Sequence, residues 1–267
     1  MDLHIPENDT ACLYPVTAFV ALIIALVLPS ASTQIPRASR KTYAYLQACT
    51  LLGALVGAKL AMLSGDLGWP FVSIPLSVVV FSGKSLVGGL LGGFIAAEIA
   101  KPFFRWREPP NDWFATKLVL SIAIGRIGCI LAGCCRGIAT DLPLAFVYSD
   151  GIRRIPIAGM ELVFHLVLFV FFLFLRRQIG LGLGLGRRLG VQHRAAYRLA
   201  GRLFGLYMLL YGIFRVSLEP FRETPKHLLG ISVYQALAVG LTLAGLFALL
   251  RKDFNHEPIR QWSRRQA

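Results

Sequence analysis

The chain has 267 residues, of which 55% are hydrophobic and only 16% charged, and its mean hydropathy is +0.61. A water-soluble domain this apolar would aggregate, so the composition excludes an ordinary soluble enzyme and points to an integral membrane protein. The remaining charge is lopsided, with 28 Lys and Arg against 14 Asp and Glu, which suits an anionic lipid surface; no nucleic-acid partner is expected.

The segment from Met1 to Thr10 carries Asp2, Glu7 and Asp9 and no Lys or Arg. A cleaved signal peptide opens with positive charge instead, so the first apolar run is read as a retained span. Crossing a hydrocarbon core takes roughly 20 mostly apolar residues, and seven runs come near that: Cys12 to Leu28, Tyr43 to Leu63, Ser85 to Ala100, Phe114 to Cys135, Pro156 to Leu175, Leu203 to Glu219 and Leu229 to Leu250. Between the second and third, Trp69 to Phe81 is apolar but holds Pro70 and Pro75, and reads as a short interfacial or re-entrant piece. The expected fold class is all-α, a polytopic membrane protein of about seven helices.

Positive loops stay on the cytoplasmic side. Alternate connections carry Arg37, Arg40 and Lys41; Lys101, Arg105 and Arg107; seven arginines from Arg176 to Arg202; and Arg251, Lys252, Arg260, Arg264 and Arg265. The opposite side holds only Arg136, Arg153, Arg154, Arg222 and Lys226. The N-terminus is therefore expected outside and the C-terminus inside. Residues 1–252 form one transmembrane domain, with a flexible basic cytoplasmic loop over 178–200 in which Leu alternates with Gly, and residues 253–267 form a basic cytoplasmic tail. Ser82 to Ser85 spells SGKS, but Val78 stands where a phosphate-binding loop needs its first glycine, so that motif is absent.

Charged groups within spans are expensive and mark functional sites. Five basic residues lie in or at the edges of spans: Lys59, Lys84, Lys117, Arg126 and Arg215. Lys117 is near enough to the inner interface to snorkel. The other four fall in the outer half of the bundle, where Glu161 and Glu219 join them. Four cations against two anions leave a positive pocket suited to a phosphodiester headgroup from the outer leaflet. The alternative is helix-packing ion pairs, such as Arg215 with Glu219 at i, i+4.

Gly125-Arg126-Ile127-Gly128, followed by Gly133 and Gly137, resembles the signature segment of the prolipoprotein diacylglyceryl transferases. Three more stretches agree in order and spacing: Gly88-Gly89-Leu90-Leu91-Gly92, Pro156 to Glu161, and Tyr211-Gly212-Ile213-Phe214-Arg215 with Glu219 and Arg222. The resemblance, running from about Gly53 to Arg222, implies seven spans in a bacterial cytoplasmic membrane with the active site toward the outer leaflet. It implies transfer of a diacylglyceryl group from phosphatidylglycerol, an anionic phospholipid, to the cysteine thiol of a prolipoprotein or other thiol-bearing acceptor, leaving a thioether and releasing glycerol phosphate. Arg126 and Arg215 match the family's essential arginines, and Glu161 and Glu219 its acidic positions, so these four are the expected catalytic residues. Lys59, Lys84, Gly88, Gly89, Gly137, Tyr211 and Arg222 are expected to bind substrate. The chain departs from the family at Val87, where a His is usual, at Cys129 and Cys134, which replace an Asn and a Glu, and at Ala158, which replaces a Gln.

Cys129, Cys134 and Cys135 stand beside the signature arginine, either as small packing residues or as a thiol site activated by Arg126. On a helix continuing to Cys135, that residue would lie about 13 Å from Arg126 and Cys129 one turn away. With no histidine placed to complete a metal site, neither metal nor cofactor is expected. His165 follows Glu161 by four residues on one helix face, so Glu161 could charge it and make it a base in place of the one missing at Val87; the bland reading is a packed core histidine. Two other functions stay open: a non-catalytic lipid-binding protein, and a thiol-dependent membrane oxidoreductase or transferase using the three cysteines.

Overall fold

A computed structural model describes residues 16–17, 19–21, 23, 40–67, 85–106, 112–143, 145–189, 202–226 and 230–251. Most of the first expected span, the segment from Trp69 to Phe81, Lys84 and the basic tail lie outside the described residues. The described part is mostly helical: α1 (Arg40–Met62), ending in a wide turn over Leu63–Leu67, α2 (Leu86–Phe103), α3 (Asp112–Leu131), a hairpin of β1 (Phe146–Val147) and β2 (Arg153–Arg154), α4 (Ile157–Leu189), α5 (Leu203–Leu218), a tight turn Glu219–Phe221, and α6 (Val233–Leu250). Among the described residues, five stretches are long and apolar enough to cross a membrane: Lys41–Asp66, Leu86–Phe103, Phe114–Leu131, Ile157–Arg177 and Val233–Leu250. The helix α5 matches the sixth expected span and has 16 residues.

Side-chain faces explain how such helices pack. On α4, Glu161, His165, Leu168 and Phe172 recur at helical spacing and are buried, whereas Val163, Val167 and Val170 on the other face are 61%, 64% and 64% exposed. Exposed valines in that number suit hydrocarbon, not water. The core gathers Val87 and Leu90 of α2, Ala115 and Val119 of α3, Leu168 and Phe172 of α4, Tyr207 and Tyr211 of α5, and Ala238 and Leu241 of α6. The helices pair in sequence order, α1 on α2, α3 on α4 and α5 on α6. Backbone meets backbone between α1 and α2: a Cβ on Gly57 would come 2.8 Å from the Gly92 Cα. Such close approach is how membrane helices gain dispersion energy without a hydrophobic drive.

Contacts between helix ends fix the direction of each element. At one end the start of α3 meets the start of α5, where the Leu203 amide donates to Asp112 Oδ1 at 3.1 Å. There too the end of α6 reaches α2, with Arg251 on Glu98 at 2.6 Å. At the other end the tail of α1 meets the head of α6 through Tyr234 and Asp66 at 2.8 Å. The hairpin caps this second end. Gly137 bridges to Arg222 and Ala139 to Arg154, tying the segment after α3 to the stretches before α4 and after α5. Up-and-down alternation is thus built into the contacts.

Two boundaries differ from expectation. The helix α4 is helical to Leu189, so 178–189 is not a loop; a glycine costs a helix only about 1 kcal/mol relative to alanine, and no proline interrupts the run. In the other direction, α3 stops at Leu131 instead of running to Cys135. Its end is a Schellman motif: Gly133 is left-handed at φ +61°, its amide donates to the Ile130 carbonyl at 3.1 Å, and the Cys134 amide to the Cys129 carbonyl at 3.1 Å. Cys135 is also left-handed at φ +59°, a conformation costing a non-glycine roughly 1–2 kcal/mol.

Candidate functional site

The end of α3, the first turn of α4 and the last turn of α5 converge beneath the hairpin. Glu161, on the first turn of α4, is fully buried. Its Oε2 lies 2.7 Å from Arg126 Nη2 of α3, its Oε1 lies 3.5 Å from Arg215 Nη1 of α5, and Oε1 also accepts from the Tyr211 hydroxyl at 3.2 Å. One carboxylate therefore joins two guanidiniums from two helices. Arg215 in turn meets Glu219 Oε2 at 3.0 Å through Nη2, and Arg222 approaches the same oxygen at 3.9 Å. Glu219 is buried because α5 ends one residue before it, at Leu218, and Pro220 then forces a tight turn. The other Glu219 oxygen accepts from Thr224 Oγ1 at 2.8 Å and Ser232 Oγ at 2.9 Å.

The network is not fully satisfied. Arg126 Nε, Arg215 Nη1, Glu161 Oε2, Glu219 Oε2 and Arg222 Nε are buried without a hydrogen bond to any described residue, as are Ser121 Oγ and the Nε atoms of Arg153, Arg154 and Arg202 outside the network. Buried polar atoms are almost always hydrogen-bonded, and five of the nine exceptions among the described residues fall in this one network, which makes it a candidate position for a further group. Three guanidiniums against two carboxylates leave one positive charge. The expected excess was larger because it counted Lys59 and Lys84. Lys84 lies outside the described residues, and Lys59 is half-buried in the last turn of α1.

The expected glycines fall at packing positions. A Cβ on Gly88 would come 2.5 Å from the Gly57 carbonyl oxygen, and one on Gly89 would come 3.4 Å from that of Ala54, so both face α1. Gly137 threads between two strands of backbone: its amide donates to the Ile155 carbonyl at 3.0 Å and the next amide, Ile138, to that of Phe221 at 2.9 Å. A Cβ there would stand 2.7 Å and 2.8 Å from those same two oxygens.

His165 does not meet the Glu161 carboxylate, contrary to the expectation that this group charges it. Its Nδ1 lies 2.6 Å from the Glu161 backbone carbonyl, which only accepts, so Nδ1 carries the proton and Nε2 faces the Tyr207 hydroxyl at 3.3 Å. The ring is a fully buried core group. The cysteines also differ from expectation. Because the chain reverses after Leu131, Arg126 Nη1 is 3.7 Å from the Cys135 sulfur, not about 13 Å as on a continuing helix, and 3.8 Å from that of Cys129.

Sequence reasoning missed the partners of Glu219, buried Ser232 and half-buried Thr224. Ser232-Val233-Tyr234-Gln235 has the serine and glutamine spacing of a capping box, and Ser232 does cap α6, accepting from the Gln235 amide at 3.0 Å. That signal gives a helix start but not its second partner. The hairpin was missed as well. Asp150 accepts from the Ile152 amide at 3.1 Å and from Arg154 at 2.9 Å; these bonds hold its carboxyl below the usual range.

Apolar helices around a buried, net-positive arginine and glutamate network define an integral membrane protein with an anion-compatible site near one end of its bundle. The chain belongs to the prolipoprotein diacylglyceryl transferase family, whose model matches residues 4–251. It is 28% identical over 187 residues to a phosphatidylglycerol–prolipoprotein diacylglyceryl transferase of Dehalococcoides mccartyi, covering 67% of this chain and 64% of that protein. The like-named protein of Clostridium tetani is 24% identical, covering 74% of this chain and 75% of its own length. That of Nitrosomonas europaea is 30% identical, covering 74% and 69%. The match thus spans a little under two thirds of the D. mccartyi protein.

Proposed function

We propose that the chain transfers a diacylglyceryl group from phosphatidylglycerol to the cysteine thiol of a prolipoprotein, in a bacterial cytoplasmic membrane, with the hairpin end of a seven-span, N-out bundle toward the outer leaflet. The observation that carries the reading is the pair of buried donors, Arg126 Nε and Arg215 Nη1, left without aligned partners inside a network of net charge +1. A phosphodiester monoanion supplies the missing acceptors and neutralises the site. Hydrogen bonds to charged groups contribute about 1.5–3 kcal/mol each, and burial strengthens them further.

In this reading Glu161 is the organiser. It faces Arg126 and Arg215 across two helices, and Tyr211 fixes its second oxygen. The acceptor sulfur attacks the glyceryl carbon, the C–O bond to phosphate breaks, and its electron pair leaves on the phosphate oxygen. Charge grows on that oxygen as the bond breaks, where the two guanidiniums stand ready without reorganisation. Glu219 orients Arg215 and is itself held by Thr224 and Ser232. Arg222 and Tyr211 line the same pocket; Gly88, Gly89 and Gly137 act by letting backbone approach closely. The relatives' names support both donor and acceptor.

The test is complementation. A bacterial strain depleted of its own diacylglyceryl transferase should grow, and its prolipoproteins mature, when this chain is expressed at normal levels. Failure with the protein correctly inserted would reject the transfer reading and leave a non-catalytic lipid-binding protein.

A further inference from the structure

The Sγ atoms of Cys129, Cys134 and Cys135 all lie within 4.8 Å of one another. The arrangement follows from the way α3 ends. A Schellman motif usually brings the residue after its glycine onto the residue five earlier through an apolar contact, and here those two residues are Cys134 and Cys129, with the Cys134 thiol 3.5 Å from the Cys129 carbonyl. The left-handed Cys135 then turns a third thiol into the same space. Cys129 is buried while Cys134 and Cys135 are half-buried, so the cluster has one closed side and one open side.

We propose that these three cysteines form a three-thiolate site for one zinc-class divalent cation, whose fourth position takes the thiol of the acceptor. The second part rests on the transferase reading. Three sulfurs at about 2.3 Å from a tetrahedral ion stand roughly 3.8 Å apart, so closing the observed cluster takes a contraction of at most about 1 Å. Soft thiolates select ions of this class over hard ones. The adjacent guanidinium fits as well. Arg126 Nη1 faces two of the sulfurs, where its N–H groups can donate to thiolates, and its charge, shared with Glu161, partly offsets the single negative charge of three thiolates around a divalent ion.

Sites with three protein ligands and an open fourth position are the catalytic kind, and a thiol that coordinates such an ion is deprotonated outright. The proposed reaction needs that service. Glu161 already faces Arg126, Arg215 and Tyr211, and the Nε2 of His165 already faces Tyr207. On binding, the acceptor thiol releases its proton to bulk water. Its sulfur then forms the bond to the glyceryl carbon as the C–O bond breaks, and the resulting thioether, a weaker ligand, leaves the ion.

Purified full-length protein, stripped with a chelator under a phosphine reductant, is titrated with Cd2+ while the sulfur-to-cadmium charge-transfer absorption is followed. The band should saturate at one ion per chain. Cys134→Ser should weaken binding at least about 10-fold, and Cys129→Ala/Cys134→Ala/Cys135→Ala should abolish the band with helical circular dichroism unchanged. A short peptide carrying one cysteine should shift the band, and its serine analogue should not. Absence of saturable binding, or equal binding by Cys134→Ser, overturns the site; a band indifferent to the cysteine peptide overturns the open position. Transfer that proceeds unchanged in the triple variant overturns the inference while leaving the transferase reading intact. Saturable binding with no transfer by the metal-loaded wild type rejects the transferase reading and the acceptor's part, but not the ion site.

Discussion

The bundle carries an ion-pair cluster at each end, made of the same kinds of residue, and they differ in burial and in completeness. At the end away from the hairpin, Glu98 meets Lys101 and Arg251, with side chains 24%, 16% and 36% exposed. At the hairpin end, Glu161, Glu219 and Arg215 are at most 3% exposed and Arg126 is 12% exposed. An exposed pair contributes about 0–1 kcal/mol. A buried one is expensive to assemble, and removal of one partner costs about 3–5 kcal/mol because the other charge is left in low dielectric. The first cluster needs no function to explain it. Each cluster has one cation more than its carboxylates, but only in the second is that charge held among buried side chains with donors to spare, which a stability role alone does not account for.

The comparison can be broken most sharply at Arg126. Arg126→Lys keeps the charge but loses the planar fork and Nε, so transfer activity should fall by about 10^2–10^3, measured as prolipoprotein conversion in membranes. The thermal midpoint should fall much less than it does on removing Glu219. Near-normal turnover by this variant would mean that a point charge suffices.

Next in size is the α5 pair. If Arg215 and Glu219 were only a helix contact, Arg215→Glu with Glu219→Arg would restore what either single change removes. Glu219 also accepts from Thr224 and Ser232, which an arginine cannot do. The swap should therefore stay destabilised, on the order of the buried-pair cost of about 3–5 kcal/mol, and inactive. Recovery of both stability and activity in thermal unfolding and transfer assays would return the pair to packing.

Gly137→Ala comes third. A methyl group against two carbonyl oxygens at 2.7 Å and 2.8 Å must push the strands apart, with an expected loss of about 1–3 kcal/mol and a partial loss of activity. The smallest effect belongs to the opposite end. Glu98→Ala should change stability by no more than about 1 kcal/mol and leave transfer unaltered; a large loss of activity there would erase the distinction between the two clusters.

Much of this was legible in the sequence, for identifiable reasons. Apolar runs mark helices, and a charge inside one is conspicuous, so Arg126, Glu161, Arg215 and Glu219 stood out before any coordinates. The structure brings these four together. What stayed hidden depends on where the chain turns. Gly133 is a helix-stop residue, yet Cys134 and Cys135 beyond it are apolar enough to extend the run, so the sequence carries α3 four residues too far and puts Cys135 about 13 Å from Arg126. Over 178–189 the error was opposite, because Leu and Gly alternation looks like a linker while nothing in it forbids a helix. Ser232 and Thr224 come from connections whose partners no periodicity specifies.

The central claim is that Arg126 and Arg215 recognise the anionic headgroup of the donor. Its most direct test is equilibrium binding of phosphatidylglycerol and of uncharged diacylglycerol to the purified protein in zwitterionic nanodiscs, comparing the wild type with Arg126→Lys. The wild type should prefer phosphatidylglycerol, and the variant should lose that preference by at least about 10-fold, equivalent to one charged hydrogen bond, with diacylglycerol binding unchanged. Equal affinity of wild type and variant for phosphatidylglycerol would contradict the account.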